Sequence, residues 1–101
     1  MLLREKDRLA IIALAEASFS SSLEIWAYGS RVNGDAHESS DLDLVIRGVN
    51  LQAIDTEEFS HFVEALRESN IPILVQVFDW FMLPETFHRN ILKKHEILFS
   101  K

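Results

Sequence analysis

The chain contains no cysteine. Disulfide bridges and thiolate metal sites are therefore excluded. The sequence also lacks an apolar run of about 18 residues, the length that a membrane-spanning helix needs. Its N-terminal residues do not show the basic-then-apolar order of a signal peptide. These absences lead us to expect a cytoplasmic protein with no membrane segment.

Positive charge is also scarce. The chain has 10 lysines and arginines against 16 aspartates and glutamates, and its net charge is -6. A protein that holds nucleic acid by neutralising phosphates needs a basic face, so we expect no direct nucleic-acid binding. A nucleotide substrate remains compatible with this charge, because Mg²⁺ can bridge acidic side chains and phosphate groups.

The length and composition predict a single domain over residues 1–101. The chain has 101 residues, 48% of them hydrophobic, which is enough for one modest core. Apolar periodicity and turn residues then predict seven elements. In chain order, these are a helix over 4–17, strands over 23–28 and 41–46, a helix over 56–69, a strand over 73–78, a last helix that Pro84 opens, and a short strand over 97–99.

The sum of these elements is an α+β fold, a small mixed β-sheet with helices on one face and an open cleft on the other. A turn region, Gly34 to Ser40 with Glu38 inside it, separates the first two strands. Asp55 followed by Glu58 resembles a capping box. The expected apolar faces of the three helices are Leu9, Ile12 and Ala13; Phe59, Phe62, Val63 and Leu66; and Phe87, Ile91 and Leu92.

Two aspartates at the start of the second strand form the central motif. Asp41 and Asp43 flank Leu42, and side chains alternate along a strand, so the two carboxylates share one face. Close carboxylates repel each other, and a bound cation relieves that repulsion. Oxygen ligands of this kind suit Mg²⁺. The alternative is a solvated edge-strand face on which acids oppose aggregation.

A Gly-Ser turn precedes these aspartates. Gly29 and Ser30 end the first strand, ten residues before Asp41. Such a turn offers backbone N–H groups and a hydroxyl to a phosphate, and the alternative is an ordinary strand-to-helix turn with Ser30 as N-cap. Arg31 follows directly, either as a phosphate contact or as a partner of Glu24 or Asp35.

The segment GSRVNGDAHESSDLDLVI, residues 29–46, resembles the nucleotidyltransferase superfamily related to DNA polymerase beta. It is most similar to the small stand-alone members, the minimal nucleotidyltransferase (MNT) family. The resemblance runs from Ile25 to the C-terminus. Within it, residues 71–80 are similar to the family's third active-site strand and residues 87–92 to its last helix.

The resemblance implies a polymerase beta-like nucleotidyltransferase fold and a set of site residues. Asp41 and Asp43 would be catalytic and hold Mg²⁺, while Gly29, Ser30 and Arg31 would bind the phosphates of ATP or another nucleoside triphosphate. Members of this size often work beside a small helical HEPN-type protein, a toxin. Some of them are antitoxins that transfer AMP onto that partner.

The third active-site strand departs from the family pattern. Gln76 stands where an acid is expected, and a neutral amide neither accepts a proton nor binds a cation as well as a carboxylate does. Asp79 lies three residues on and faces the opposite side of a regular strand. It returns to the site only through a bulge or a frayed strand end, and otherwise it is a cap or turn residue.

Two functions follow from these residues. The first is an enzyme that transfers a nucleoside monophosphate, AMP by resemblance, from a Mg²⁺-bound nucleoside triphosphate to a hydroxyl acceptor, which the resemblance places on a HEPN-type partner. The alternative is a catalytically impaired MNT-like antitoxin, a binding module that acts by contact. The four histidines show no ligand spacing, which indicates surface or structural roles. Trp26 and Trp80 lie in apolar runs, which indicates core or interface positions.

Overall fold

Four strands form one sheet in the computed structural model, which describes residues 1–37 and 39–101. The strands are β1 (Leu23–Tyr28), β2 (Leu42–Gly48), β3 (Val75–Asp79) and β4 (Glu96–Ser100). Their order is β3-β2-β1-β4. β1 runs antiparallel to β2 and β4, whereas β2 and β3 are parallel. The expected mixed sheet is confirmed, and β1 has the predicted bounds.

Four helices of the described residues accompany the sheet. They are α1 (Glu5–Ser18), α2 (Ser30–Asn33), α3 (Thr56–Arg67) and α4 (Glu85–Lys93), and short 3-10 turns cover Val49–Leu51 and Trp80–Met82. The Asp55 carboxylate accepts the N–H of Glu58 at 3.0 Å, so Asp55 caps α3 as predicted. The carboxylate of Glu58 instead accepts from Ser20 Oγ at 2.6 Å. Glu38, part of the predicted turn, lies outside the described residues.

The main core lies between one face of the sheet and helices α1 and α3. Leu42, Leu44 and Ile46 of β2 are fully buried there, because alternate residues of a strand point to the same face. Phe62 of α3 packs against Phe19 with ring centroids 5.1 Å apart. The alternation leaves Asp43 on the other face of β2.

The predicted apolar face of α1 is wrong in part. Leu9 is 52% exposed and Ala13 is exposed, while Ile11 and Ala15 are fully buried. Every residue from 9 to 15 is apolar, so the sequence does not single out one stripe of the helix. Packing against α3 and the sheet instead buries the face of α1 that carries Ile11 and Ala15.

A second cluster covers part of the opposite face of the sheet. Trp26, Val45, Trp80 and Ile91 are buried together there, which confirms the core position expected for both tryptophans. Of the face predicted for α4, only Ile91 is buried. Helices α1 and α3 therefore lie on one face as expected, whereas α4 packs on the other face, which we expected to stay open as a cleft. No helix of the described ranges has the length and apolarity to cross a membrane.

Arginine and histidine side chains complete this second cluster. The Arg47 guanidinium carbon lies 4.1 Å from the centroid of the Trp26 ring and 4.4 Å from that of Trp80. His95 stacks on Trp26 at 3.9 Å and His88 stacks on Trp80 at 4.0 Å. These two histidines thus have the structural roles that their spacing predicted.

Candidate active site

Three side chains stand in a row across the sheet, on the face that carries the second cluster. Asp43 on β2 pairs with Tyr28 on β1 and, on its other side, with Gln76 on β3. Residues paired across neighbouring strands present their side chains on the same face. The structure thus places Gln76 beside Asp43, in the register that the family pattern indicated.

Asp41 joins this row from the residue before β2. Gln76 Nε2 donates to Asp41 Oδ2 at 3.4 Å. Asp41 and Gln76 are exposed, whereas Asp43 is partly buried. The amide of Gln76 therefore sits against the carboxylate pair as a hydrogen-bond donor, and the sequence offers no proton acceptor at that position.

Gly29 brings the turn after β1 into contact with Asp43. Its φ of 83° and ψ of -156° lie in a region that residues with a Cβ rarely adopt. A Cβ at this position would lie 2.6 Å from Asp43 Oδ2. Glycine is thus required for the Asp43 carboxylate to lie directly against the turn.

Ser30 begins α2 without capping it. Gly29 occupies the N-cap position, and its carbonyl accepts from Val32 N at 3.0 Å and Asn33 N at 2.9 Å. Within the described residues, no side-chain hydrogen bond caps this helix. The interpretation of Ser30 as an N-cap is therefore wrong, while its predicted phosphate contact stays a prediction.

Arg31 is buried, with 5% of its surface exposed. Its Nε donates to the carbonyl of Ser40 at 2.8 Å and its Nη2 to the carbonyl of His37 at 3.4 Å. Its Nη1 donates to the carbonyl of Leu2. Glu24, an expected partner, accepts from Trp26 Nε1 at 3.1 Å. The phosphate contact expected of Arg31 stays a prediction.

Asp79 lies on the other face of β3. It pairs with Ile46, whose side chain is in the main core, and its carboxylate accepts from Ile54 N at 2.9 Å and Phe81 N at 3.0 Å. Asp79 therefore caps the 3-10 turn that follows, as its interpretation as a cap residue predicted. The structure does not bring it together with Asp41, Asp43 and Gln76.

Burial and neighbouring charges raise the pKa values of two residues in this row, Asp43 and Tyr28. Burial, and secondly the charge of Asp41, raise the pKa of Asp43. Burial, and secondly the charge of Asp43, raise the pKa of Tyr28 to about 12. An added divalent cation would relieve the repulsion that contributes to both shifts.

The two carboxylates fit a magnesium ion better than a metal that needs an all-protein cage. The described part of the chain has no group of three or more His, Cys, Asp or Glu side chains suited to hold a metal. Mg²⁺ is usually held by one or two carboxylates together with waters and substrate phosphates. Asp41 and Asp43 are the residues that would supply the protein ligands.

Sequence reasoning missed Tyr28. It is the last residue of β1 and directly opposes Asp43, yet nothing in an aromatic-rich strand marks which residue will face a given aspartate. The only available signal was its position immediately before Gly29. The antiparallel register that completes the pairing is set by the tertiary structure.

With this geometry in view, comparison with known proteins defines the class. Residues 11–101 match the family model described as Polymerase beta, Nucleotidyltransferase. The chain belongs to this family, and it is a transferase enzyme of the nucleotidyltransferase class. It is 32% identical over 97 residues to the protein named "Probable protein adenylyltransferase MntA" of Haemophilus influenzae, a match that covers 96% of this chain and 83% of that protein. The resemblance to minimal nucleotidyltransferases is confirmed.

Solved structures show the same fold. A crystal structure of a toxin-antitoxin with AMP-PNP matches with a TM-score of 0.74 and 18% identity, over 94% of this chain and 74% of that one. A Sulfolobus solfataricus chain, provisionally assigned as a nucleotidyltransferase, matches with a TM-score of 0.52 and 17% identity, over 95% of this chain and 86% of that one. At these identities the likeness concerns the fold alone.

Proposed function

We propose that the chain transfers AMP from Mg²⁺-bound ATP to a hydroxyl on a partner protein, and that this partner is a HEPN-type toxin for which the chain is the antitoxin. The observation that carries the proposal is the contact between the Gly29 turn and the Asp43 carboxylate. It brings the turn that we assign to the phosphates close to the carboxylates that we assign to the cation. The relative named as a protein adenylyltransferase and the structural match to a toxin-antitoxin with AMP-PNP support the choice of nucleotide and acceptor.

Each residue of the site has a distinct task in this proposal. Gly29 and Ser30 bind the β and γ phosphates through backbone N–H groups and a hydroxyl. Asp41 and Asp43 hold Mg²⁺, which neutralises phosphate charge and orients the reactants. The acceptor oxygen bonds to the α phosphorus, pyrophosphate leaves, and the acceptor proton is released to water.

Gln76 supports a second candidate function. Its amide faces Asp41 at 3.4 Å and cannot remove the proton of an acceptor hydroxyl. A chain that retains nucleotide and partner binding but transfers slowly would act as an antitoxin by contact. The same site residues are therefore compatible with a binding module whose catalysis is weakened.

Label transfer distinguishes the two. The purified chain is incubated with α-labelled ATP, MgCl₂ and a HEPN-type protein encoded beside it, and label on the partner is measured. We expect transfer by wild type, loss in Asp43→Asn, and retention in the matched control Asp79→Asn, whose carboxylate lies on the other face. Partner neutralisation without label would favour the binding module. Failure of wild type to bind ATP would contradict the enzyme, and a partner that is still neutralised in that case would leave the binding module in its place.

A further inference from the structure

We infer that Arg31 is a positioning residue that sets the distance between the phosphate-binding turn and the Asp41 carboxylate. The inference rests on the proposed function, since it concerns how the same site is held together. It assigns Arg31 an action through backbone carbonyls rather than through contact with the nucleotide.

The hydrogen bonds of Arg31 connect the two halves of the motif. Its main chain lies in α2, directly after Ser30, and its side chain donates to the carbonyls of His37 and Ser40. The Ser40 carbonyl belongs to the peptide unit that leads into Asp41, and it is held at 2.8 Å. One side chain therefore spans from the turn to the segment that carries the first carboxylate.

The same residue also holds the segment that precedes α1. Leu2 N donates to the Arg31 carbonyl at 3.0 Å, and Arg31 Nη1 donates back to the Leu2 carbonyl. Arg31, Leu2 and Asp41 line one cavity. Arg31 thus brings three separate segments together beside the carboxylate.

A direct phosphate contact would disturb this arrangement. All three guanidinium nitrogens already donate to carbonyls, and only 5% of the residue is exposed. Turning the guanidinium toward a phosphate would break these three part-buried hydrogen bonds at once, which costs free energy. The positioning role requires no change in the hydrogen bonds that the Arg31 guanidinium makes in the structure.

The planar fork of arginine is what this role needs. A guanidinium donates in several fixed directions at once, whereas a lysine ammonium is a compact point charge on a flexible stem. Lysine nevertheless binds phosphate well as a point charge. The two roles therefore make opposite predictions for Arg31→Lys.

The test measures ATP and AMP binding with and without MgCl₂ in Arg31→Gln and Arg31→Lys. Arg67→Gln is the matched control, because Arg67 is an exposed arginine of α3 paired with Glu64. We expect metal-free ATP affinity within about 2-fold of wild type in both Arg31 variants. The MgCl₂ concentration for half-maximal ATP binding should rise about 10-fold or more in both, since loss of a group that orients a metal ligand typically costs about 10–100-fold in metal affinity.

Other outcomes overturn the inference. A loss of metal-free ATP affinity of roughly 10-fold or more in Arg31→Gln, smaller for AMP and rescued in Arg31→Lys, would show a direct phosphate contact. If neither variant folds where Arg67→Gln does, Arg31 is a folding requirement rather than a positioning residue. Failure of wild type itself to bind ATP with MgCl₂ would instead refute the proposed function on which the inference rests.

Discussion

Gly29 shows how a single residue links backbone conformation to the site. Its positive φ and its contact with Asp43 are two separate constraints on a side chain. Gly29→Ala should lower the free energy of unfolding by about 1–3 kcal/mol from the backbone alone, and by more because the new Cβ displaces the Asp43 carboxylate. Urea unfolding with and without nucleotide measures both effects.

Gly34 is the matched control for this change. It also has a positive φ, 92°, but a Cβ there would meet no atom within 4 Å. Gly34→Ala should therefore carry only the backbone cost and leave Mg²⁺-dependent ATP binding intact. Equal losses of nucleotide binding in the two variants would contradict the role of the Gly29–Asp43 contact.

Tyr28 is the chain's single tyrosine, so its ionisation can be followed directly by phenolate absorbance. Burial and the charge of Asp43 disfavour the phenolate and raise its pKa to about 12. Because the folded-state pKa lies above the ordinary value of about 10, the unfolding free energy should fall as pH rises from about 10 towards 12.

Asp43→Asn provides the test of the cause. It should bring the Tyr28 pKa part of the way back towards its ordinary value, with most of the shift remaining because burial is the larger cause. Asp79→Asn, on the other face, should leave the titration unchanged. A full return in Asp43→Asn would mean that burial contributes little.

The sequence predicted some of these site residues and not others, for a physical reason. Strand alternation is a local rule, so it placed Asp41 and Asp43 on one face and Asp79 opposite Gln76 without knowledge of the sheet. The position of Tyr28 opposite Asp43 depends on an antiparallel register, and the hydrogen bonds of the predicted residue Arg31 depend on carbonyls distant in sequence. Those contacts exist only once the segments have come together.

Strands were predicted more closely than helix faces at the scale of elements. β1 is short, aromatic and followed by a glycine turn, and each of these signals is local. The buried stripe of α1 is not local, because an apolar residue occurs on every side of that helix. For α4, Phe87 is 46% exposed and Leu92 is 52% exposed, since only the side towards the second cluster is covered.

The register of β3 against β2 leads to the next prediction. Gln76 pairs with Asp43, so Gln76→Asp would place a third carboxylate beside the pair. If proton removal limits transfer, the variant should transfer faster than wild type, because general base catalysis contributes about 10²–10⁴-fold. Single-turnover transfer of labelled AMP onto the partner protein measures the rate.

Gln76→Glu and Asp79→Asn serve as controls for this experiment. Gln76→Glu introduces a longer acidic side chain than Gln76→Asp does. It tests whether any acid at this position raises the transfer rate or whether the placement of the carboxylate matters. If Gln76→Asp leaves the rate unchanged while Asp79→Asn abolishes transfer, then Asp79 supplies the third carboxylate in solution and the observed register does not describe the active state.

The two faces of the sheet have different roles in the molecule. Helices α1 and α3 bury one face and provide the main core, and α4 with its tryptophan cluster closes part of the other. What remains open is the end where β1, β2 and β3 bring Tyr28, Asp43 and Gln76 side by side.

The net charge of -6 predicts how salt acts on nucleotide binding. Without Mg²⁺, an acidic chain repels a polyanionic nucleotide, and salt screens that repulsion over a Debye length of about 10 Å at 0.1 M. ATP affinity should therefore stay level or rise as KCl increases, with a smaller change for the less charged AMP. With Mg²⁺ the repulsion is largely neutralised, and the dependence of ATP affinity on KCl should flatten.

Equilibrium dialysis with labelled ATP measures both series. A steep fall of metal-free affinity with KCl would show that a cationic side chain contacts the phosphates and outweighs the repulsion by the net charge.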